Sequence, residues 1–213
     1  MMPINEQQGM LFSFEGIDAC GKTTQISAIY ESLRSLGYET VLYREPGSTK
    51  LGEEVRKIVL MSKDIAICAR AEVLLYVASR AQLVAENVLP LLESGTIVLL
   101  DRYADSSVAY QGFGRHLPIE EVIRLNDFAI MKRYPDKTFY FDITAKEAEK
   151  RMSGKDRDRL EAEKQDFFER VRNGYLSLAK RDPQRFVVLD GNEDREKLRK
   201  EVLGIILKHI RPD

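Results

Sequence analysis

Residues 14–25 read FEGIDACGKTTQ, and within them Gly16-Ile17-Asp18-Ala19-Cys20-Gly21-Lys22-Thr23 fits the pattern G-x-x-x-x-G-K-[ST]. Few short patterns narrow a fold so far. The glycines let successive backbone N–H groups converge on an anion, which requires a strand entering the loop and a helix leaving it by its positive N-terminal end. Both neighbours are legible. MLFSF (10–14) is an apolar strand candidate, and TTQISAIYESLRSLG (23–37) has a helical period that stops on Gly37. In that setting Lys22 is placed to reach the β- and γ-phosphates of a nucleotide, and the Thr23 hydroxyl to ligate magnesium. From average composition, a chance match in a chain this long is roughly a one-per-cent event. Cys20, inside the loop, reads as a position wanting a small side chain, because no base stands beside it.

The remaining strand candidates are ETVLY (39–43), TIVLL (96–100), TFYF (138–141) and RFVVL (185–189), with helical patterns between them. Near-continuous apolar strands separated by helices mean a parallel sheet covered on both faces. The expected fold is therefore α/β: a doubly wound, parallel five-stranded sheet with helices on both faces, of the P-loop NTPase type. No internal repeat, low-complexity tract or long linker divides residues 1–213, so one domain is expected.

Composition removes several alternatives. Lysine and arginine total 33 against 34 acids, a net charge of −1, whereas a chain living on nucleic acid or anionic membrane carries a basic excess. Cys20 and Cys68 have no close partner, and His116 and His209 stand far apart, so neither a zinc site nor a disulfide framework is expected. The opening MMPINEQQG lacks the apolar centre of a signal peptide, and no apolar run approaches the ~20 residues of a membrane helix. A cytoplasmic protein follows from these readings.

In open parallel sheets, ligands collect at the carboxyl ends of the strands. Lys22 follows the first strand, Arg44 ends the second, and Asp101 and Arg102 end the third. One triphosphate accounts for the cradle, leaving Arg44, Arg102 and Arg80 for a second anion. Tyr76, Tyr103 and Tyr110 lie near those arginines in sequence, and arginines mixed with ring-stacking residues suggest a second nucleotide. RMSGKDRDRLEAEKQ (151–165) is almost wholly charged around a glycine. It reads either as a solvated loop or as a closing lid.

Together FEGIDACGKTTQ, REPGST, LLYVASRAQ, DRYADSSVAYQGFGR and DRDRLEAEKQDFFERVRNGY resemble the thymidylate kinase family, from about residue 10 to about residue 190. DRY followed by SSVAYQG is the most specific part. The resemblance implies transfer of the γ-phosphate of ATP to dTMP with Mg²⁺, in a homodimer. Gly16 to Thr24, with Arg151, would hold ATP, and Thr23 and Asp101 would hold the metal and its water. Asp18 would take the sugar 3′-hydroxyl; Arg44 and Arg102 would grip the acceptor phosphate. Tyr76 would stack on thymine beside Pro46, Arg80 would reach a base carbonyl, Ser107 and Gln111 would border the base, and Tyr110 would crowd the sugar. An acceptor region around 44–112 and a lid around 151–162 are implied. With Ile17, Asp18, Ala19 and Cys20 inside the cradle and no arginine among them, the catalytic arginines would come from the lid, as Arg157 and Arg159. The resemblance also implies a cis Glu45-Pro46 bond. Ser48 departs from the family, which usually has a second glycine there; Cys20 replaces Ser or Ala, and Tyr76 replaces Phe.

Three rivals stand beside that reading. Another nucleoside monophosphate kinase, or a kinase of a small hydroxyl compound, would share the sheet and cradle. A switch GTPase or nucleotide-sensing binding module predicts a guanine-reading N-K-x-D, which the chain lacks. An ATP-driven nucleic-acid protein predicts a basic tract, which is also missing.

Overall fold

The computed structural model describes residues 9–62, 64–153 and 158–211. Five strands, β1 (Leu11–Glu15), β2 (Thr40–Arg44), β3 (Ile97–Asp101), β4 (Lys137–Asp142) and β5 (Phe186–Asp190), form one sheet in the order β2-β3-β1-β4-β5. Every adjacent pair is parallel. The chain leaves β1 toward β2, returns to β3, and then crosses to β4 and β5. That reversal opens a crevice beyond the carboxyl ends of the central strands. Register makes the crevice compact, since Phe14 and Arg44 are both paired with Asp101.

Helices cover the sheet on both faces. α1 (Lys22–Ser35), α2 (Lys50–Arg56), α3 (Ala69–Leu83), α4 (Leu89–Glu93), α5 (Ala104–Ser107) and α6 (Ile119–Ile130) precede β4, and α6 leads directly into it. α7 (Ala145–Met152), α8 (Gln165–Arg181) and α9 (Arg195–Ile210) complete the order. Alternation along the strands divides the core between the faces. Phe12, Phe14 and Leu99 pack with Ile26, Ile29 and Leu33 of α1 and with Val202 and Ile206 of α9. Leu11, Val98 and Leu100 pack instead with Leu83, Val84 and Val88. β1 is buried along its whole length, as a central strand covered twice must be.

Local chemistry sets the ends. α1 stops where Gly37 takes φ 87 and Tyr38 N–H donates back to the Leu33 carbonyl at 3.1 Å. Thr49 caps α2 by accepting from Gly52 N–H at 2.9 Å, and Asp194 caps α9 through Glu196 and Lys197 N–H, both at 3.0 Å. Three helices widen into π-helical turns, at Lys57–Met61, Val84–Val88 and Val108–Gly114. Such turns cluster at functional sites, and the last carries Tyr110 and Gln111. Among the described residues, no helix is long and apolar enough to cross a membrane.

Candidate active site

The loop between β1 and α1 forms the cradle. Gly16 takes φ 147, and a Cβ there would lie 2.7 Å from Cys20 Sγ and 2.8 Å from the Phe141 carbonyl. Gly21, at φ 98, directs the chain into α1 without meeting any neighbour. Ile17 is buried beneath the loop in the core. Cys20 is buried against Gly16, and burial pushes its thiol up, which fits a small packing residue and no nucleophile. On its outer side Ala19, Cys20, Gly21, Lys22, Thr23 and Thr24 border an open cleft, with Arg151 opposite. Arg151 Nη1 donates to the Ala19 and Gly191 carbonyls at 3.3 and 3.2 Å, tying α7 to the cradle.

On its inner side the cradle borders a cavity of about 200 Å³. Asp18, Lys22, Thr23 and Asp101 line one end, and Arg44, Pro46, Tyr76, Arg80, Arg102, Ser107, Tyr110 and Gln111 line the rest. Twelve residues singled out from sequence thus meet in one space, drawn from the loop after β1, the ends of β2 and β3 and the residues after them, α1, α3, α5 and the turn after α5. The Thr23 hydroxyl donates to Asp101 Oδ2 at 3.0 Å. Hard oxygen donors of this kind, one hydroxyl and one carboxylate beside a phosphate cradle, suit Mg²⁺. The Glu45-Pro46 bond is cis, as expected.

Arg102 joins the cradle loop to the far side of the cavity. Its Nη2 donates to Asp18 Oδ1 at 2.7 Å and to the Tyr110 hydroxyl at 2.9 Å. Lys22 Nζ lies 3.6 Å from the same Asp18 oxygen. Burial pushes the Asp18 carboxyl up, but the Arg102 and Lys22 charges outweigh it and hold the group down at about 2. Arg102 itself stands at φ 73, in the left-handed region.

Arg80 is enclosed more tightly than its expected role suggests. Its Nε donates to Glu45 Oε2 at 2.6 Å, its Nη1 to Ser107 Oγ at 2.8 Å and to Asn126, and its Nη2 to the Tyr103 carbonyl at 3.1 Å. Arg80 is therefore clamped by protein partners along the cavity wall. Arg44 is half exposed and pairs with Glu53 at 3.1 Å. Ser48 stands at φ 66, a conformation that favours glycine, and its hydroxyl accepts from Arg44 N–H at 3.0 Å.

The two expected lid arginines fare differently. Arg157 lies outside the described residues. Arg159 does not line the cavity; its Nη2 donates to Glu72 Oε2 at 2.5 Å and its Nε to the Val59 carbonyl at 2.7 Å. A buried carboxylate attracts it there, for Glu72 is fully buried and also accepts from Gln111 and Arg115. Asp158, Leu160 and Glu161 face the cavity in its place. Sequence reading also passed over Glu15, Glu45 and Glu72. Burial, reinforced by Asp105, pushes the Glu15 carboxyl up to about 7 against hydrogen bonds from Ser106 and Tyr175 and the Arg102 charge. Glu15 and Glu45 fall just beyond the predicted strands 10–14 and 39–43, and nothing local marked Glu72.

A phosphate cradle at the reversal of a parallel sheet, with cations on both sides of one cleft, defines a P-loop protein of the nucleotide-handling α/β class. The thymidylate kinase family model matches residues 14–202. This chain belongs to that family. It is 49% identical over 203 residues to a thymidylate kinase of Thermoanaerobacter sp. (strain X514), covering 95% of this chain and all of the relative. A thymidylate kinase of Caldanaerobacter subterraneus subsp. tengcongensis is 45% identical, covering 96% of this chain and 98% of its own. The crystal structure of thymidylate kinase from Ehrlichia chaffeensis superposes with a TM-score of 0.78 at 33% identity, covering 93% of this chain and 98% of that one.

Proposed function

We propose that this chain is a thymidylate kinase, moving the γ-phosphoryl group of ATP to dTMP to give ADP and dTDP. The observation that carries the reading is one cavity holding the cradle lysine at one end and Arg102, Tyr76 and Tyr110 at the other, in a chain of this family. Phosphoryl transfer demands alignment, exclusion of water and neutralisation of spreading charge more than covalent help.

On this reading the backbone from Gly16 to Thr24 cradles the ATP phosphates, Lys22 reaches the transferring group, and Arg151 borders the same cleft. Thr23 and Asp101 would hold Mg²⁺ and its bound water, and the ion would supply positive charge beside the ATP phosphates. Arg102 and Arg44 grip the acceptor phosphate, and Asp18 takes the sugar 3′-hydroxyl. Tyr76 stacks on the base beside Pro46, with Ser107, Gln111 and the clamped Arg80 along the base edge. Tyr110 fills the space a ribose hydroxyl would need. Residues 44–112 form the acceptor region of a single domain, residues 151–162 the lid, and Arg157 and Arg159 close over the transfer. The working form is a cytoplasmic homodimer.

Release of ADP measured against a panel of nucleoside monophosphates tests the activity. Fastest release with dTMP is expected. ATP hydrolysis indifferent to every acceptor, or a preference for UMP or dCMP, would overturn the assignment.

A further inference from the structure

Glu15 touches none of the atoms assigned above to phosphate or base, yet it is fully buried and both its oxygens are engaged. Oε1 accepts from Tyr103 N–H at 2.7 Å. Oε2 accepts from the Ser106 hydroxyl at 2.6 Å and the Tyr175 hydroxyl at 2.9 Å. All three donors surround Arg102. Tyr103 is the next residue, and Arg102 Nη1 approaches Ser106 Oγ at 3.3 Å and the Tyr175 hydroxyl at 3.4 Å. On the other side of Arg102, its own N–H donates to the Phe14 carbonyl at 3.0 Å.

Those contacts do two separate things. A non-glycine residue at φ 73 persists only when its surroundings over-determine it. The end of β1 does so from both flanks, through the Phe14 carbonyl before Arg102 and the Glu15 carboxylate after it. The second effect concerns protons. A hydroxyl has one hydrogen, and a carboxylate has only acceptor sites to offer. With Glu15 ionised, one hydroxyl hydrogen goes to its Oε2 and the other to Oε2 or to the neighbouring hydroxyl, Ser106 Oγ and the Tyr175 oxygen being 2.8 Å apart, so both oxygens keep lone pairs for the Arg102 guanidinium. Serine and tyrosine alone would be free to turn those hydrogens toward Arg102.

The geometry points to Glu15 as the positioning residue of Arg102, fixing its backbone through Tyr103 and its guanidinium through Ser106 and Tyr175. This rests on the proposed role of Arg102 at the acceptor phosphate.

Steady-state kinetics of the full chain, with ATP and dTMP varied in turn, test it in Glu15→Ala, Glu15→Gln, Arg102→Ala and the Glu15→Ala/Arg102→Ala double variant. Glu15→Ala is expected to lower kcat/KM for dTMP on the order of 10- to 100-fold, as small misplacements of aligning groups do, while KM for ATP holds. Glu15→Gln should restore only part of the loss, because its amide oxygen still accepts from Tyr103 while its NH2 faces Ser106 and Tyr175 and leaves their hydrogens free to turn toward Arg102. In the Arg102→Ala background the Glu15→Ala change should add less than about twofold, since residues acting through one another are not additive. Wild-type kcat/KM in Glu15→Ala, a fully additive double variant, or an equal rise in KM for ATP overturns the proposal. Should Glu15→Ala not fold, Tyr175→Phe decides: a selective fall in kcat/KM for dTMP supports the proposal, and an unchanged value overturns it. If Arg102→Ala keeps wild-type kcat/KM, the acceptor reading of Arg102 itself fails, and this inference with it. A crippled Arg102→Ala beside an unimpaired Glu15→Ala rejects this inference alone.

Discussion

Arg102 reaches back 84 residues to Asp18 and holds its carboxylate at 2.7 Å, joining the loop after β1 to the end of β3. The pair makes stability depend on acid. Asp18 falls from an ordinary 3.8 to about 2, so its contribution is complete above about pH 4 and disappears as pH falls through about 2. That contribution is roughly 2 kcal/mol at neutral pH. Urea unfolding at pH 5.5 and pH 2.5 should show a smaller acid loss in Asp18→Asn than in the wild type. Equal losses would remove Asp18 from the account.

Glu15 carries the opposite sign. Its folded carboxyl titrates at about 7 against an ordinary 4.5, so the unfolded chain releases the proton first as pH rises. Stability should therefore decline by roughly 3 kcal/mol between about pH 4.5 and pH 7 on this group's account, then level off. Glu15→Gln should flatten that decline in denaturant titrations across the same window. A Glu15→Gln curve parallel to the wild type would mean that the carboxyl ionises normally.

Lys22→Ala should leave the fold intact and remove most turnover. Losing one charge contact to the transition state costs about 3–4 kcal/mol, two to three orders of magnitude in rate. The check is kcat on protein whose circular dichroism and unfolding midpoint match the wild type. A rate near the wild-type value would show that Lys22 does not reach the transferring group.

Arg159 gives a more particular expectation, because it is docked on Glu72 and on the Val59 carbonyl. Arg159→Ala should lower kcat by about tenfold with less than threefold change in the Kd for dTMP, as contacts used on closure appear in kcat. Glu72→Gln should not lower kcat in the same way through Arg159, since it releases Arg159 from the carboxylate that holds it away from the cavity. Unchanged kcat in Arg159→Ala would remove Arg159 from the transfer.

Tyr110 is buried, and its hydroxyl is held between Arg102 and Asp18. A ribose hydroxyl entering that space would displace the ring or remain unpaired, at about 1–3 kcal/mol. Tyr110→Ala should accordingly narrow the preference for dUMP over UMP. A ratio of kcat/KM values equal to the wild type's would place ribose rejection elsewhere.

The sheet and cradle were legible because their signals are local. Apolar runs and a glycine-rich turn announced themselves within a dozen residues, although β1, β2, β3 and β5 each lie one residue further along than predicted. The cavity was legible because strand ends fall on one edge whatever the details of packing. Glu15 and Glu72 were not, since their meaning lies in partners far away: Tyr175 is 160 residues from Glu15, and Arg159 is 87 from Glu72. The clamping of Arg80 escaped for the same reason, depending on Glu45, Ser107 and Asn126 from three separate segments. Nothing in the sequence signals the π-helical turn that carries Tyr110, because widening a helix by one residue leaves no compositional trace.

Asp101 and Arg102 are neighbours in the chain, yet one hydrogen-bonds Thr23 in the cradle and the other binds Asp18. In a regular strand two consecutive side chains would point to opposite faces. The left-handed turn at Arg102 lets both border the same cavity. Their Cα atoms are joined through one trans peptide, about 3.8 Å apart. The residue hydrogen-bonded to Thr23 and the residue hydrogen-bonded to Asp18 are thus tied by covalent bonds, so the two contacts cannot drift apart by more than their side chains allow. Warming, which loosens packing and lengthens hydrogen bonds, leaves that backbone spacing almost unchanged.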